Sequence, residues 1–438
     1  MQPCQPMIPG ASYRYKLAIL LLLSLAWSEG FGLTSSEQEV LDAWLTLCGE
    51  GGAQPVGETT YDLTAVCSMS VSDREAAARQ VTPKQTPAQG TSSMEISQRQ
   101  FDNITARMEA LRSGVSGISL SGLTLEQQGQ RLSLGELTKT ASGGSAGEEA
   151  GALVGRLGFF INGNMGLGEK DGSSNELGFD FDTRGLTAGM DYRFTDQFIV
   201  GAAVGYVNNQ TDFDVSRGEM DVDGTTLALY TTYYHDEASY LDAIISYGWN
   251  DFDNTRQMSF DLAGTPISAQ TSGSTDGEEL SISLGGGYDF NRGSLSYGPY
   301  ARLNYISADI DAYTETSSVG FEMGYGDQEV ESLTSLLGGQ LGYAISTSSG
   351  VFMPQARLEW VHEFNNDSRF IDGRFVYIDP QPTFSVATDD PDRNYFNLGL
   401  GVSATFGAGK SGYLYYETLL GQQDIQRHAL AAGVRFEF

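Results

Sequence analysis

From residue 152 onward one pattern recurs: apolar residues alternate with small or polar ones, and the connections between the alternating runs are by turns short and long. Side chains of a strand point to opposite faces in succession, so each such run reads as a strand with one apolar face. Leu186, Ala188, Met190, Tyr192 and Phe194 alternate with Gly185, Thr187, Gly189, Asp191 and Arg193. Twelve strands are expected, near 152–163, 183–194, 197–213, 220–235, 239–254, 278–290, 295–311, 330–346, 350–364, 392–407, 411–420 and 427–438. The connections at 195–196, 235–238, 291–294, 346–350 and 407–411 are tight, whereas 164–182, 255–277, 312–329 and 365–391 are long and rich in Asp, Gly and Ser. A sandwich has no reason to keep every second connection short. A membrane barrel does, because its turns are tight on one side and its loops are free to lengthen on the other. An even strand count brings the last strand, with Leu430, Ala432, Val434, Phe436 and Phe438 on one face, back against the first.

Composition agrees with an all-β membrane protein. The 54 glycines, 22 tyrosines and 22 phenylalanines suit many turns and aromatic faces, and a mean hydropathy of −0.23 excludes a helical membrane protein. It does not exclude a barrel, in which only alternate residues meet lipid. The expected sense is apolar face outward, with glycines, Arg302, Arg357, Glu359 and Arg435 lining a wet interior. A formal charge of −31, from 25 Lys and Arg against 56 Asp and Glu, leaves no basic stripe for nucleic acid.

The amino end reads as an export signal. Arg14 and Lys16 precede an apolar run from Leu17 to Trp27 that is too short to span a bilayer, and cleavage is expected after Ser28. Cys4 precedes that run, so Cys48 and Cys67 are the pair left for a disulfide in an oxidising compartment. Two short helices, Ser36 to Leu47 and Ser72 to Val81, are expected on either side of it. A third runs from Met94 to Arg112, with Phe101, Ile104, Met108 and Leu111 as an apolar stripe opposed by Arg99, Asp102 and Glu109.

The segments TRGLTAGMDYRFTDQFIVGAAVGY, ALYTTYYHDEASYLDAIISYGWNDFD, YGPYARLNYI and HALAAGVRFEF closely resemble the translocator barrel of autotransporters, over roughly residues 150–438. The resemblance implies a twelve-stranded antiparallel barrel in the outer membrane of a Gram-negative bacterium, preceded here by a small helical region. It implies that Val434, Phe436 and Phe438 are the mark read by the barrel-insertion machinery. FDNITARMEALR is similar to the helix that threads the lumen in serine-protease autotransporters and is cut between adjacent asparagines. Asp102-Asn103 occupies that pair. A carboxylate is a poor substitute for the attacking amide, so an uncleaved chain is expected. Within the helix, Phe101, Asp102, Asn103, Arg107 and Arg112 are the candidate pore residues. Arg99, Arg107 and Arg112 are expected to pair with inward Glu359, Glu363 or Asp242, in a lumen widened by Gly189, Gly201, Gly399 and Gly401. The alternative is a helix packed on residues 35–80, with the Gly- and Ser-rich stretch 113–151 as a tether.

Four parts follow: a signal at 1–28, a disulfide-tied passenger-like region at 29–93, a pore helix and linker at 94–151, and a barrel at 152–438. No catalytic set is found. None of His235, His362 and His428 has a convincing catalytic partner arrangement, no nucleophile elbow, phosphate loop or zinc motif occurs, and no cofactor is expected. The acidic segments 276–279 and 389–392 lack the ligand spacing of a calcium loop. The expected role is to translocate or anchor a short amino-terminal region at the surface. A passive pore, and an adhesin or receptor using the acidic loops for a surface ligand, are the competing readings. Expected partners are outer-membrane lipid, lipopolysaccharide and the insertion machinery.

Overall fold

The computed structural model describes residues 32–49, 51–112, 119–120, 124–127, 130–133, 156–236, 238–317, 319–406 and 410–436. The export signal, most of the linker and Phe438 lie outside these residues. Twelve strands form the wall: β1 Leu157–Lys170, β2 Phe179–Thr195, β3 Phe198–Phe213, β4 Glu219–Tyr234, β5 Ser239–Leu262, β6 Thr265–Tyr288, β7 Leu295–Ile310, β8 Gln328–Tyr343, β9 Gly350–Glu363, β10 Asn394–Phe406, β11 Lys410–Leu420 and β12 Ile425–Phe436. Each pairs antiparallel with its neighbour in sequence, and β12 returns to β1 through pairs from Ile425↔Lys170 to Ala431↔Asn164. That seam, over residues 164–170 of β1, closes the cylinder. Beyond Asn164 the short strand Ser119–Leu120 lies parallel to Phe160–Ile161 of β1.

The apolar face is outside. Leu186, Val204, Leu229, Leu303, Leu358 and Leu400 are exposed there, each more than a third open. Exposed aromatics mark both borders of this band: Phe194, Phe198, Tyr288 and Tyr343 near the tight turns, and Tyr206, Trp249, Trp360 and Phe396 toward the long connections. That is the girdle pattern of a membrane-embedded wall. No described helix is long and apolar enough to cross a bilayer.

Four loop expectations need correction. Lys170 still belongs to β1 and Phe179 to β2, so the connection expected at 164–182 is only 171–178. The expected loop 255–277 is a tall hairpin: β5 and β6 continue in register to Leu262↔Thr265. Its alternation persists above the membrane with the outward face turned polar, Ser259 and Asp261 outside and Met258 and Leu262 inside. Ala263 (φ 51°) and Gly264 (φ 88°) make its two-residue turn, where both central positions need positive φ. Segments expected as loops at 312–329 and 365–391 carry a four-stranded sheet of Tyr313–Thr314, Met323–Tyr325, Phe370–Phe375 and Thr383–Ala387.

Above that end sits the amino-terminal module. Helix α1 spans Ser35–Leu45 and α2 spans Val71–Val81. Thr34 starts α1 with a capping box: its hydroxyl accepts from the Glu37 amide, and the Glu37 carboxylate accepts from the Thr34 amide. Cys48 and Cys67 are joined in a disulfide. The module does not enclose a core by itself. Val40, Trp44, Leu63, Val66 and Val81 share one apolar cluster with Met258, Leu262 and Ile267 of the tall hairpin, Phe375 and Phe384 of the small sheet, and Phe321 in the link before its second strand.

Candidate functional site: the occupied lumen

Helix α3, Ala88–Arg112, fills the barrel. It begins at Ala88, just after Pro87 and six residues before the expected Met94. Its outer end lies near Val330 and Arg369, which approach Gly90, and its inner end near Asp191 and Gly158, which approach Arg107. The chain therefore passes from the module above the outer mouth, through the lumen, to the side of the tight turns.

The lumen has two chemically different walls. On one, Phe101, Ile104, Met108 and Leu111 are buried against inward Phe160, Ile199, Ala203, Tyr230, Ile244 and Ile306. The interior is thus not wet throughout, and the stripe packs in the lumen and not on residues 35–80. The apolar stripe has an apolar sector to meet. On the other wall, Arg357 of β9 reaches Glu417 at 2.7 Å, Glu359 at 3.4 Å and Glu109 of the helix at 3.4 Å, and lies over the Tyr415 ring. Arg427 pairs with Glu95 of the helix at 3.1 Å.

Polar contacts fix the helix in height and rotation. Arg107 donates to Asp191 from Nε at 2.7 Å and from Nη2 at 3.1 Å, and the Tyr230 hydroxyl donates to the same carboxylate at 3.0 Å. Asn103 donates to the Thr187 hydroxyl at 3.0 Å, which donates to Gln100 at 2.9 Å. Asn162 and Asn164 of β1 donate to the helix carbonyls of Asn103 and Arg99 at 2.8 and 3.1 Å. Ser92 donates to Asn209 at 2.8 Å, and Ser97 bonds Glu279 and faces Ser281.

The expected ion pairs are redrawn. Arg99 pairs within the helix, with Glu95 at 2.8 Å and Asp102 at 3.1 Å. Arg107 takes Asp191 rather than Glu359, Glu363 or Asp242, because the register sets Asp191 beside the last turns of the helix. Glu363 accepts from Ser332 and from the Leu333 and Asn365 amides at the outer rim. Glu359 accepts from Tyr300 at 2.5 Å and Asn397 at 3.2 Å. Asp242 and Arg302 lie on inward positions of β5 and β7, half-buried. Val434 and Phe436 belong to β12, paired with Gly412 and Lys410, and Arg435 with Ser411. Their side chains, like that of Arg112, lie outside the described residues.

Glycine has two uses here. A Cβ on Gly189 or Gly201 would strike the Phe160 or Tyr230 ring, and one on Gly399 or Gly401 the Tyr415 ring. Those glycines make room for the wall's own aromatics, not for the helix. The glycines that admit the helix include Gly205, where a Cβ would stand 2.2 Å from Gln100 Oε1, Gly158 beside Arg107, Gly166 beside Glu95, and Gly224 beside Ile96. Asp191, Thr187 and Gly205 were discernible as inward positions of the alternation, but their helix partners were not. Among the described residues no three His, Cys, Asp or Glu side chains converge as a metal-binding group. The arrangement binds and positions a polypeptide.

The family model described as the autotransporter beta-domain matches residues 159–417. The putative uncharacterized protein YaiT of Escherichia coli is 24% identical over 274 residues, which cover 61% of this chain and 26% of that protein. The esterase EstA of Pseudomonas aeruginosa is 23% identical over 213 residues, 48% of this chain and 32% of the relative. The chain thus spans less than a third of the length of either relative. The translocator domain of the autotransporter NalP from Neisseria meningitidis shares the fold, with a TM-score of 0.50 and 17% identity over 70% of this chain and 93% of that one.

Proposed function

This chain belongs to the autotransporter family, its barrel being a translocator domain of the outer membrane, and from that premise we propose that it carries residues 32–87 to the cell surface and keeps them there. The passage of α3 from the outer mouth to the inner end of the lumen supports this reading, since it leaves the module beyond the outer end and the barrel below it. The anchor is the helix, held by its ion pairs and apolar stripe, and the process is conformational rather than catalytic. A lumen filled by a helix about 10–12 Å across speaks against a wide, steady pore.

Asp102 fits an anchor that is not cut. Its carboxylate accepts from Gln98 at 3.0 Å and pairs with Arg99 at 3.1 Å, and it has no amide with which to attack its own carbonyl. The membrane form then runs as one chain from the signal-cleavage site, and amino-terminal sequencing that returned Asn103 would contradict this. Antibodies raised against residues 51–62 test the display directly. Labelling of intact cells equal to that of permeabilised cells is expected, and labelling only after permeabilisation would overturn surface display.

A further inference from the structure

Helix α2 ends at Val81, and the last carbonyls of a helix have no partner within it. Two arginines from the barrel's outer rim supply one each. Arg217, in the β3–β4 connection, donates from Nη2 to the Gln80 carbonyl at 2.7 Å and from Nε to the Gln257 carbonyl at 3.1 Å. Arg256 of the tall hairpin donates from Nη1 to the Val81 carbonyl at 3.0 Å. Its other edge forms a two-pronged pair with Glu315, at 2.8 and 2.5 Å, and reaches the Phe321 carbonyl at 2.7 Å. Glu315 also accepts from the Tyr325 hydroxyl at 3.1 Å and the Met323 amide at 3.0 Å. Both guanidinium groups are buried, Arg217 6% and Arg256 2% exposed.

A cation at the carboxyl end of a helix meets the negative end of its dipole, and out of water that attraction is at its strongest. Burial works against the charge on Arg256, but the Glu315 carboxylate beside it more than offsets that cost and holds the guanidinium charged. Arg217 has no such carboxylate. Burial, with the charge of Arg256 nearby, pulls it down to about 10. A cation placed there serves the helix end it faces.

We propose that the outer rim is a docking site for the chain's own amino-terminal module, closed by Arg217 and Arg256 on the carboxyl end of α2, so that the module is a retained lid over the mouth. The inference rests on the module's lying outside the membrane, and adds that the rim holds it independently of the lumen helix. The shared apolar cluster gives the lid its area, and the two arginines fix its register.

Hydrogen exchange on the purified full-length protein in detergent separates the two holds. In Arg217→Met, which removes donors without stranding a buried carboxylate, amides of residues 35–47 and 71–82 should exchange at least ~10-fold faster, and in Arg256→Met faster still. Amides of 92–108 should be unchanged, and so should the difference in gel mobility between unboiled and boiled samples, which reports an intact barrel. Arg184→Met, at a 58% exposed side chain away from the lid, is the control and should alter none of these. Unchanged exchange of α1 and α2 in both variants overturns the docking site. Equal acceleration of 92–108 overturns its independence from the helix. A failure of surface labelling by the antibodies against 51–62, by contrast, would count against display and not against docking.

Discussion

Arg107 of the lumen helix and Asp191 of β2 are joined by two hydrogen bonds, one to each carboxylate oxygen, both side chains being almost fully buried at 1% and 5% exposure. Removing one partner of such a pair leaves the other charged, dry and uncompensated, at a cost of ~3–5 kcal/mol. Arg107→Met should therefore loosen the inner end of α3. Frequent channel openings in planar bilayers are expected where the parent protein is quiet. The double variant Arg107→Met/Asp191→Leu, which removes both charges, should recover part of the closure. A variant as quiet as the parent would show that this pair does not hold the helix.

Gly205 tests the fit by volume instead of charge. A leucine there would need the space of the Gln100 side chain, because even a Cβ lies 2.2 Å from its Oε1. Overpacking of this kind costs ~1–3 kcal/mol, and the flexible partner is the helix. Gly205→Leu should keep the heat-dependent gel mobility of a closed barrel and gain conductance. Gly163→Ala, whose Cβ would meet nothing closer than 3.6 Å, should change neither.

The Cys48–Cys67 bond closes a loop with a sequence separation of 19, which in the chain-entropy model contributes ~3 kcal/mol. A module that borrows half its core from the barrel's outer loops needs that restraint. Cys48→Ala/Cys67→Ala should lower the temperature at which residues 35–82 lose protection from protease, with barrel assembly unaffected. Mass spectrometry of the parent should find no free thiol at either position.

Acid should loosen the outer loops first. Burial alone would raise the Asp389 carboxyl, but Lys170 at 2.9 Å, with Ser173 and Asn175, holds it below its ordinary value. Its contribution is therefore complete above the usual aspartate pKa of 3.8 and is lost as the pH falls below it. Protease cleavage within 365–391 should rise in the parent as the pH falls below 3.8. In Asp389→Asn, cleavage should already be raised at pH 7 and depend less on pH.

What the sequence made legible was set by periodicity. Lipid demands an apolar outward face, so the wall strands announce themselves, as Leu186, Met190 and Phe194 do on β2. The tall hairpin was hidden because above the membrane the same alternation has a polar outer face, and because Ala263-Gly264 is not the Asn-Gly that usually marks such a turn. The helix was readable from its stripe, but its seat was not. That Phe101 and Ile104 meet Phe160 and Ile199, and that Arg107 meets Asp191, depends on the rotation and height of a helix inside a cylinder, which no local pattern encodes. Gly189 and Gly205 look alike in sequence. Only the register shows that one receives the Phe160 ring and the other Gln100.

In the lumen α3 sets its Ser97 against β6, a placement that a crosslink can check. Ser97 Oγ and Ser281 Oγ are 3.2 Å apart, close enough for cysteines in their place to join with little backbone movement. In Ser97→Cys/Ser281→Cys, made with Cys48 and Cys67 intact, mass spectrometry of outer membranes should recover the peptide pair linked through 97 and 281, and Ser97→Cys/Ser268→Cys should give no such link. Free thiols at both 97 and 281 in a barrel that still shows heat-dependent mobility would contradict the account.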